Sequence, residues 1–355
     1  MKIAIIIPNL MESAPYVKNF TDVFDSIGAD YEFICWDRNQ VLTQPIKSEK
    51  MIVFKRSGHE SNHLLRKLYD YYMFSRFVVK SLKSKRFDYL TVHTIVCSIF
   101  LEKFIRKAYK GRYIFDIRDY SPIYPYVKNN VRKLISSSSC TIISSDEYKR
   151  WLPKDKDYVL GHNVRKLDLE SSFYKNDFNV NKYFTILTIG QIRDFSSNSR
   201  IIDSFGNKHN FIVKFAGGGL DKENLELYSR DRYSNIHFTG SYNKKEEGNL
   251  VKNSDFINIV LPTTAFAMTQ MTNRFYLSLI YKKPMIVNYE SIQAKFVEKY
   301  SLGIVVNSSE DIHDKLLQYL KVFDIKVFDK GCEDMLKIIT QDIDNFENEI
   351  IMHFI

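Results

Sequence analysis

Short apolar runs bounded by polar turns recur along the chain, and the longer segments between them carry apolar residues at helical spacing. Such runs are typical of buried parallel strands, and their alternation with helices predicts βαβ units. The strands predicted in the first half are KIAIIIP, YEFICW, MIVFKR, DYLTVHT, RYIFDI and CTIISS. Those predicted in the second half are FTILTIG, FIVKFAG, NIHFTG, DFINIVL, PMIVN and GIVVN. The fold class predicted is α/β, with two doubly wound domains in tandem.

The strand–helix alternation is interrupted once. Residues 167–181 (LDLESSFYKNDFNVN) are polar and irregular, which predicts an interdomain linker. This divides the chain into an N-terminal Rossmann-like domain over 1–166, a second over 182–340 and an acidic C-terminal helix over 341–355. Ligands of doubly wound sheets bind beyond the carboxyl ends of the strands, so we expect two such domains to face each other across a cleft.

Length and composition narrow the class of protein. A chain of 355 residues exceeds one ordinary core, and its apolar runs are too short to span a membrane. The segment MKIAIIIPNL predicts a buried first strand rather than a signal peptide. The four cysteines show no paired spacing, which fits a reducing cytoplasm and excludes a disulfide scaffold or a zinc finger.

The positive charge lies in the first half of the chain. Residues 1–165 hold 28 basic and 17 acidic residues, whereas the remainder holds 23 and 25. A helix is predicted over roughly Asn62–Lys85, and the overlapping segment LLRKLYDYYMFSRFVVKSLKSKR (64–86) mixes aromatic and basic residues. This composition is typical of a helix on an anionic membrane surface; the alternative is a helix packed on the sheet with a solvated basic face. Nucleic acid is disfavoured because no DNA- or RNA-binding signature is present.

Candidate anion-binding residues follow strands of the second half. In NRFYLSLIYKKPMIV, Arg274 opens a helix, and a helix N-terminus with an added guanidinium suits a diphosphate. Gly190 and Arg193 follow an earlier strand in GQIRD, and FAGGG places Gly217, Gly218 and Gly219 after the next one. Glycine permits a close backbone approach to a ligand. The alternatives are a solvated arginine and an ordinary tight turn.

Polar residues also follow strands of the first half. FDIRD places Asp116 and Asp119 where a carboxylate could accept a proton from an acceptor hydroxyl, although either could instead cap a turn. His93 ends another predicted strand, where a hydrogen-bonded core histidine is the alternative to a catalyst. His162 and Asn163 lie near the domain junction, where simple hinge hydrogen bonding is the alternative.

With these features in place, the chain resembles bacterial GT-B glycosyltransferases of the family 4 kind, of the capsular and exopolysaccharide type. NRFYLSLIYKKPMIV is similar to the family's Asn-Lys or Asn-Arg helix and its "kPvI" strand. FTILTIGQIRD and FAGGG resemble the first two strands of the donor domain, and SNIHFTGSYNKKEEGNLVKNSDFINIVLP resembles the run that follows. IFDIRD and SSDEYKRWLPKDKDYVLGHN resemble segments of the acceptor domain.

The resemblance implies two Rossmann-like domains, a nucleoside diphosphate-sugar donor held by the second, and a C-terminal helix that crosses back to the first. It also implies retention of anomeric configuration and no cofactor or required metal. Residues with implied catalytic roles are Asp116, Asp119, Arg193 and Arg274. Implied donor-binding residues are Gly190, Arg193, Gly217, Gly218, Asn273 and Arg274, and acceptor-side residues are Asn9, His93 and Asp119.

The sequence departs from the family at two places. The family carries two glutamates before a Gly-x-Pro turn, whereas TTAFAMTQMTNRFYLSLIYKKP has no acidic residue. Leu277 stands at the position of the second glutamate and Lys282 at that of the glycine. The family's Gly-Gly loop after the first strand is replaced by PNLMESAP, where Asn9 and the backbone near Ser13 could serve.

These features predict a cytoplasmic transferase, peripheral on the inner face of the membrane, that moves a sugar from a nucleoside diphosphate to a growing glycan. The acceptor is expected to be lipid-linked, because the basic half would lie at an anionic membrane. One alternative is a non-catalytic GT-B-like subunit that binds a partner transferase or the glycan, which the missing glutamates favour. Another is a different nucleotide-sugar enzyme on the same fold, such as a 2-epimerase. Oligomeric state stays open.

Overall fold

A computed structural model of the chain describes residues 1–11, 14–40, 50–58, 63–170 and 183–354. The chain divides into two compact units, Met1–Arg165 with Gln341–Ile355, and Lys166–Thr340. Most of the segment predicted as a linker, 167–181, lies outside the described residues. Its first residues belong to a short helix, α5 (Lys166–Glu170).

The first unit is built on a parallel sheet of seven strands within the described ranges. They are β1 (Lys2–Ile7), β2 (Asp30–Asp37), β3 (Met51–Lys55), β4 (Tyr89–His93), β5 (Tyr113–Ile117), β6 (Cys140–Ile143) and β7 (Val159–Leu160). Their order is β3-β2-β1-β4-β5-β6-β7, so the winding direction reverses between β1 and β4. The first six strands confirm the predictions, whereas the two-residue β7 is too short to give a hydrophobic signal.

Helices cover both faces of this sheet: α1 (Val17–Ser26), α2 (Leu64–Ser84), α3 (Ile95–Ala108) and α4 (Tyr124–Ser137). Alternate residues of a strand point to opposite faces, so each strand supplies two cores. One core joins Trp36 to Phe74 of α2 and Leu101 of α3. The other joins Ile5 to Phe20 of α1.

The second unit has a six-stranded parallel sheet in the order β10-β9-β8-β11-β12-β13. Its strands are β8 (Phe184–Ile189), β9 (Phe211–Ala216), β10 (Ile236–Gly240), β11 (Phe256–Ile259), β12 (Met285–Asn288) and β13 (Gly303–Val306). Its helices are α6 (Phe195–Phe205), α7 (Lys222–Arg230), α8 (Glu247–Lys252), α9 (Ala265–Thr269), α10 (Asn273–Ile280), α11 (Ile292–Lys299) and α12 (Ile312–Val322). All six predicted strands are confirmed, and the winding reverses between β8 and β11.

The last helix, α13 (Ile325–Phe354), begins well before the segment 341–355 that was predicted as a C-terminal helix. Gly331 lowers helix propensity there, but a Cβ at that position would lie 1.9 Å from the carbonyl oxygen of Tyr300. From residue 341 onward α13 belongs to the first unit, where Phe346 packs edge-on against Phe20 at 5.2 Å. None of the described helices is both long and apolar enough to cross a membrane.

Candidate functional site

Arg274 lies at the point where the winding of the second sheet reverses. It occupies the first turn of α10, as predicted, and its Nε donates to the carbonyl oxygen of Ile189 at 2.7 Å. Nη1 donates to the carbonyl oxygen of Asn258 at 3.2 Å and Nη2 to that of Gln191 at 3.1 Å. Ile189 ends β8 and Asn258 lies in β11. The guanidinium therefore bridges the carboxyl ends of the two strands between which doubly wound sheets bind ligands.

The Arg274 guanidinium is desolvated yet incompletely used. Burial lowers the pKa of Arg274 to about 10, and the neighbouring phenol of Tyr242 acts in the opposite direction. The group stays cationic at neutral pH. A guanidinium has five N–H donors, more than the three backbone carbonyls require. Part of the residue remains exposed, and a charge-assisted hydrogen bond to an anion is stronger in a desolvated setting.

The glycines after β8 and β9 pack two loops against each other. Gly190, Gly217 and Gly219 have φ of 94°, 142° and 156°, a region that other residues rarely adopt. A Cβ on Gly217 would lie 1.8 Å from the carbonyl oxygen of Gly190, and one on Gly219 would lie 2.2 Å from that of Ile192. Gly219, a candidate from the FAGGG segment that the family resemblance does not assign to donor binding, thus shares this packing role, whereas Gly218 has neither the positive φ nor a backbone clash.

Arg193 is exposed on the loop between β8 and α6. The next residue, Asp194, has a φ of 69° and caps α6 by accepting from the backbone N–H of Ser197 at 2.7 Å. The Asp194 N–H itself donates to Asp221 at 2.8 Å. These bonds fix the loop that carries Arg193. Asn273, also exposed, opens α10 beside Arg274.

The two departures from the family pattern have defined surroundings. Leu277 is half-buried on α10, where the family would carry a glutamate. Lys282 has a φ of 50°, which explains why a glycine would suit that position. Its Nζ lies 3.6 Å from Asp329 and 3.5 Å from Glu333 on α13, and these ion pairs help to hold the turn.

Tyr242 contacts a carboxylate and also influences the charge of Arg274. The hydroxyl of Tyr242, on the loop after β10, donates to Glu247 of α8 at 3.0 Å. Burial raises the pKa of Tyr242, the carboxylate of Glu247 raises it further, and the charge of Arg274 opposes both. Tyr242 therefore remains a neutral donor between an acid and a guanidinium, a relation that the sequence analysis missed.

In the first unit, His93 and Asp116 belong to a buried chain of polar groups. The Thr91 hydroxyl is 3.0 Å from Nε2 of His93, whose Nδ1 is 2.6 Å from Oδ2 of Asp116. Nε of Arg118 donates to the same oxygen at 2.6 Å, and its Nη1 donates to the carbonyl oxygen of Gly161 at 2.8 Å. The chain connects the ends of β4, β5 and β7.

The predicted acceptor-side residues are thus placed in different environments. His93 and Asp116 are fully buried, whereas Asp119, two residues beyond β5, is exposed. Asn9 is partly exposed after β1. Asp119 is therefore the carboxylate of this group that solvent and an acceptor can reach. The backbone near Ser13, the other part of the replaced loop, lies outside the described residues.

The junction residue His162 is also fixed within the first unit. Its Nε2 is 3.1 Å from Asp342 of α13, and its carbonyl oxygen accepts from the amide of Asn19 at 3.2 Å. Asn163 accepts from Nη1 of Arg118 at 3.2 Å. These contacts tie the segment after β7 to α1, to α13 and to the buried polar chain.

The charges in the buried chain follow from its contacts. Burial alone would raise the pKa of Asp116, but the charge of Arg118 and the hydrogen bond from His93 outweigh it and lower the pKa. Burial lowers the pKa of His93, Asp116 opposes this, and Arg118 adds to it. At neutral pH this buried group of polar side chains therefore contains an ionised Asp116, a cationic Arg118 and a neutral His93 with its proton on Nδ1.

The neutral His93 predicts a pH effect on stability. Its pKa in the folded protein lies below the ordinary 6.5, so the unfolded chain binds the proton first as pH falls. The stabilisation that comes from a neutral His93 is complete above pH 6.5. It is lost as the pH falls from 6.5 towards the pKa in the folded protein, by up to about 1.4 kcal/mol per pH unit. We expect the unfolding free energy of His93→Gln, measured with urea between pH 7.5 and 5.5, to fall less steeply than that of the wild type. The control is His237→Gln at an exposed histidine, which should show the same pH dependence as the wild type. If His93→Gln also shows the wild-type pH dependence, His93 is not neutral in the folded protein.

One group of described residues could supply three metal-ligand atoms. Those of Asp311, His313 and Asp314 lie within 4.8 Å of one another. However, Asp311 already caps α12 by accepting from the Asp314 N–H at 3.0 Å, and both aspartates are exposed. These residues form the N-terminal end of α12, and we do not assign them to the candidate site.

Comparisons with known proteins identify the fold. No protein-family model matches this sequence, and no curated protein matches it significantly. Among solved structures, sucrose-phosphate synthase from Thermosynechococcus elongatus has a TM-score of 0.74 at 11% identity, over 99% of both chains. The E. coli trehalose-6-phosphate structure bound with UDP-2-fluoro glucose has a TM-score of 0.72 at 9% identity, over 99% of this chain and 98% of that one. Anabaena HepE in complex with UDP has a TM-score of 0.64 at 12% identity, over 100% of this chain and 99% of that one. The protein therefore has the GT-B fold.

Proposed function

We propose that the protein is a glycosyltransferase that moves a sugar from a nucleoside diphosphate donor to a glycan acceptor. The observation that carries the proposal is the guanidinium of Arg274 at the switch point of the second sheet. Two proteins of the same fold contain UDP or a UDP-sugar, which supports a uridine nucleotide as the donor class.

In the proposed reaction, the bond between the anomeric carbon and the diphosphate oxygen breaks, a bond to an acceptor hydroxyl oxygen forms, and the hydroxyl proton passes to Asp119 while the nucleoside diphosphate leaves. Arg274 and Arg193 would bind the diphosphate and stabilise the charge that develops on the leaving nucleotide. Asp119 would face the acceptor hydroxyl. Following the family resemblance, we propose retention of configuration without a metal ion.

The missing glutamates favour one alternative, a non-catalytic GT-B-like subunit. Leu277 cannot accept a hydrogen bond from a ribose hydroxyl, so donor binding must depend on other groups or be absent. Glu247, which Tyr242 connects to the neighbourhood of Arg274, is the candidate replacement. A protein that binds UDP but neither transfers nor hydrolyses the sugar would fit the alternative.

Ligand-dependent thermal unfolding tests the donor site. Ligands that bind only the folded state increase the free energy of unfolding by RT ln(1 + [L]/Kd) and so raise the unfolding temperature. We expect UDP, or another nucleoside diphosphate, to raise the unfolding temperature. At about 100 times the Kd, the free energy of unfolding increases by ~2.7 kcal/mol. The matching nucleoside serves as the control because it lacks the diphosphate. No shift with any nucleoside diphosphate would contradict a donor site.

We further propose that α2, α3 and α4 form a surface that binds an anionic membrane. On α2, an exposed stripe recurs at helical spacing, and we call it the α2 stripe: Leu65, Tyr69, Tyr72, Arg76, Lys80 and Lys83. Its first half is apolar and its second half basic, which suits a helix lying in the membrane interface. Leu65 is 82% exposed, so none of the described apolar residues covers it.

The described helices that form this surface expose no carboxylate side chain. The three helices carry only Asp70 and Glu102 as acidic residues, and both side chains are almost fully buried. Asp70 is bound by Arg56 at 2.7 Å and Glu102 by Arg106 at 2.5 Å. The exposed charges of these helices are therefore basic, which complements an anionic lipid surface.

The position of this surface supports a lipid-linked acceptor for surface polysaccharide synthesis at the inner face of the cytoplasmic membrane. The four cysteines are all buried as free thiols, which fits a reducing compartment. If the acceptor and the acceptor domain are both bound to the membrane, they find each other by diffusion along its surface.

Vesicle binding tests the membrane surface. Basic residues near an anionic membrane contribute about 1 kcal/mol each. The triple variant Arg76→Gln, Lys80→Gln, Lys83→Gln is therefore expected to bind vesicles containing phosphatidylserine about 100-fold more weakly in a sedimentation assay. A triple variant at the exposed Lys208, Lys321 and Lys326 of the second unit is the control. Equal loss in both variants would indicate a non-specific charge effect and exclude this surface.

A further inference from the structure

Arg38 follows β2 and is held between two aromatic rings. Its guanidinium carbon lies 4.3 Å from the ring centre of Trp36 and 4.8 Å from that of Tyr71 on α2. The Trp36 ring is itself fixed, because its Nε1 donates to the carbonyl oxygen of Arg56 at 2.7 Å. The backbone carbonyl of Arg38 accepts from the N–H of Gly58 at 3.0 Å. Both the main chain and the plane of the guanidinium are therefore held in place.

One edge of this guanidinium has no hydrogen-bond partner among the described residues. Nε and Nη2 of Arg38 are buried and make no hydrogen bond to the part of the chain that the structure describes. These two nitrogens form the edge with which arginine binds a carboxylate or a phosphate through two parallel hydrogen bonds. A buried charged donor without a partner is unfavourable unless a ligand completes it.

The neighbouring groups do not neutralise Arg38. Burial raises the pKa of Tyr71, with Arg38 opposing, so the phenol is uncharged at neutral pH. Burial raises the pKa of Cys97 to about 12, again against the influence of Arg38, so the thiol is also uncharged. No carboxylate among the described residues forms an ion pair with Arg38. The positive charge therefore has no counter-charge among the residues that the structure describes.

The position of Arg38 connects it to the acceptor side of the site. It follows the carboxyl end of β2, on the same edge of the parallel sheet as Asn9, His93 and Asp119. The charge of Asp119 also influences the hydroxyls of Tyr71 and Tyr16, which places these groups in one neighbourhood. A ligand bound at Arg38 would lie at the strand ends where the proposed acceptor is expected.

We propose that the free edge of Arg38 binds an oxyanion on the acceptor, either a phosphate or a carboxylate. This inference rests on the proposed glycosyltransferase function for the identity of the ligand, but the anion site itself does not. The rings of Trp36 and Tyr71 hold the guanidinium plane, and the paired Nε–H and Nη2–H select a group with two oxygens in one plane. The acceptor would therefore be an acidic or phosphorylated glycan rather than a neutral sugar.

Calorimetric titration with inorganic phosphate and with glucuronate tests the site and separates the two sources of charge. Both titrations use the Arg274→Gln variant as the background, so that the proposed diphosphate site does not contribute. We expect binding of at least one anion, weakened about 10-fold or more by adding Arg38→Gln. Arg38→Lys, which keeps the charge but loses the planar edge, is expected to weaken binding as well. Exposed Arg86→Gln is the matched control and should leave binding unchanged.

Several outcomes would overturn the proposal. Absence of binding by both anions in the Arg274→Gln background would do so without any substitution at Arg38. Equal affinity in folded Arg38→Gln would place the anion elsewhere. Titration of the wild type with UDP distinguishes the two proposals. If UDP binds but no anion binds in a manner that depends on Arg38, only the anion site at Arg38 is excluded. An Arg38-dependent anion without binding of any nucleotide removes only the proposed transferase.

Discussion

Replacing Arg274 by glutamine is expected to weaken UDP binding about 10- to 150-fold. A hydrogen bond to a charged group contributes ~1.5–3 kcal/mol, and each 1.4 kcal/mol corresponds to tenfold in affinity. The loss has two parts. The diphosphate loses a cationic partner, and the carbonyls of Ile189, Gln191 and Asn258 lose the group that holds the ends of β8 and β11 together. Isothermal titration of each variant with UDP measures the effect.

Two further variants separate charge from geometry. Arg274→Lys keeps the positive charge but loses the planar guanidinium that contacts three carbonyls and could still bind a diphosphate. An intermediate affinity for UDP is therefore expected. Arg230→Gln, an exposed arginine at the end of α7, is the matched control and should bind UDP as the wild type does. Unchanged UDP affinity in a folded Arg274→Gln would remove this residue from the donor site.

The fold was largely predictable because its signals are local. Strands such as β1 and β8 are continuous apolar runs, and a strand buried on both faces leaves that mark in any sequence. Two features escaped prediction for local reasons. The two-residue β7 carries no periodicity, and Gly331 interrupts the helical pattern of α13 although the carbonyl of Tyr300 leaves no room for a side chain there.

The candidate site was only partly predictable, because its relations are tertiary. Arg274 could be placed at a helix terminus from its sequence context, but its contacts with Ile189 and Asn258 link residues 85 and 16 positions away. Asp116 and Asp119 look alike in FDIRD, yet one is buried against Arg118 and the other is exposed. Strand order and side-chain direction separate them, and neither is visible in a single sequence.

Asp116→Ala is expected to destabilise the folded protein by about 3–5 kcal/mol, because it leaves the buried guanidinium of Arg118 without its carboxylate. Urea unfolding measures the loss. The exposed Asp119→Ala, two residues beyond β5, is the matched control and is expected to change stability by less than about 1 kcal/mol, while lowering transfer activity if Asp119 faces the acceptor. The two carboxylates would then separate into one that holds the structure and one that takes part in chemistry.

A second substitution distinguishes an unpaired charge from a simple loss of packing. Removing both members of a buried ion pair costs less than removing one, because no uncompensated charge remains. The double variant Asp116→Ala, Arg118→Met should therefore be more stable than the sum of the single losses predicts, with the apolar side chain still packing against Tyr16, which Arg118 contacts at 4.2 Å. Additive losses would mean that the pair is not coupled. The destabilisation by Asp116→Ala would then reflect the lost contacts with His93 alone.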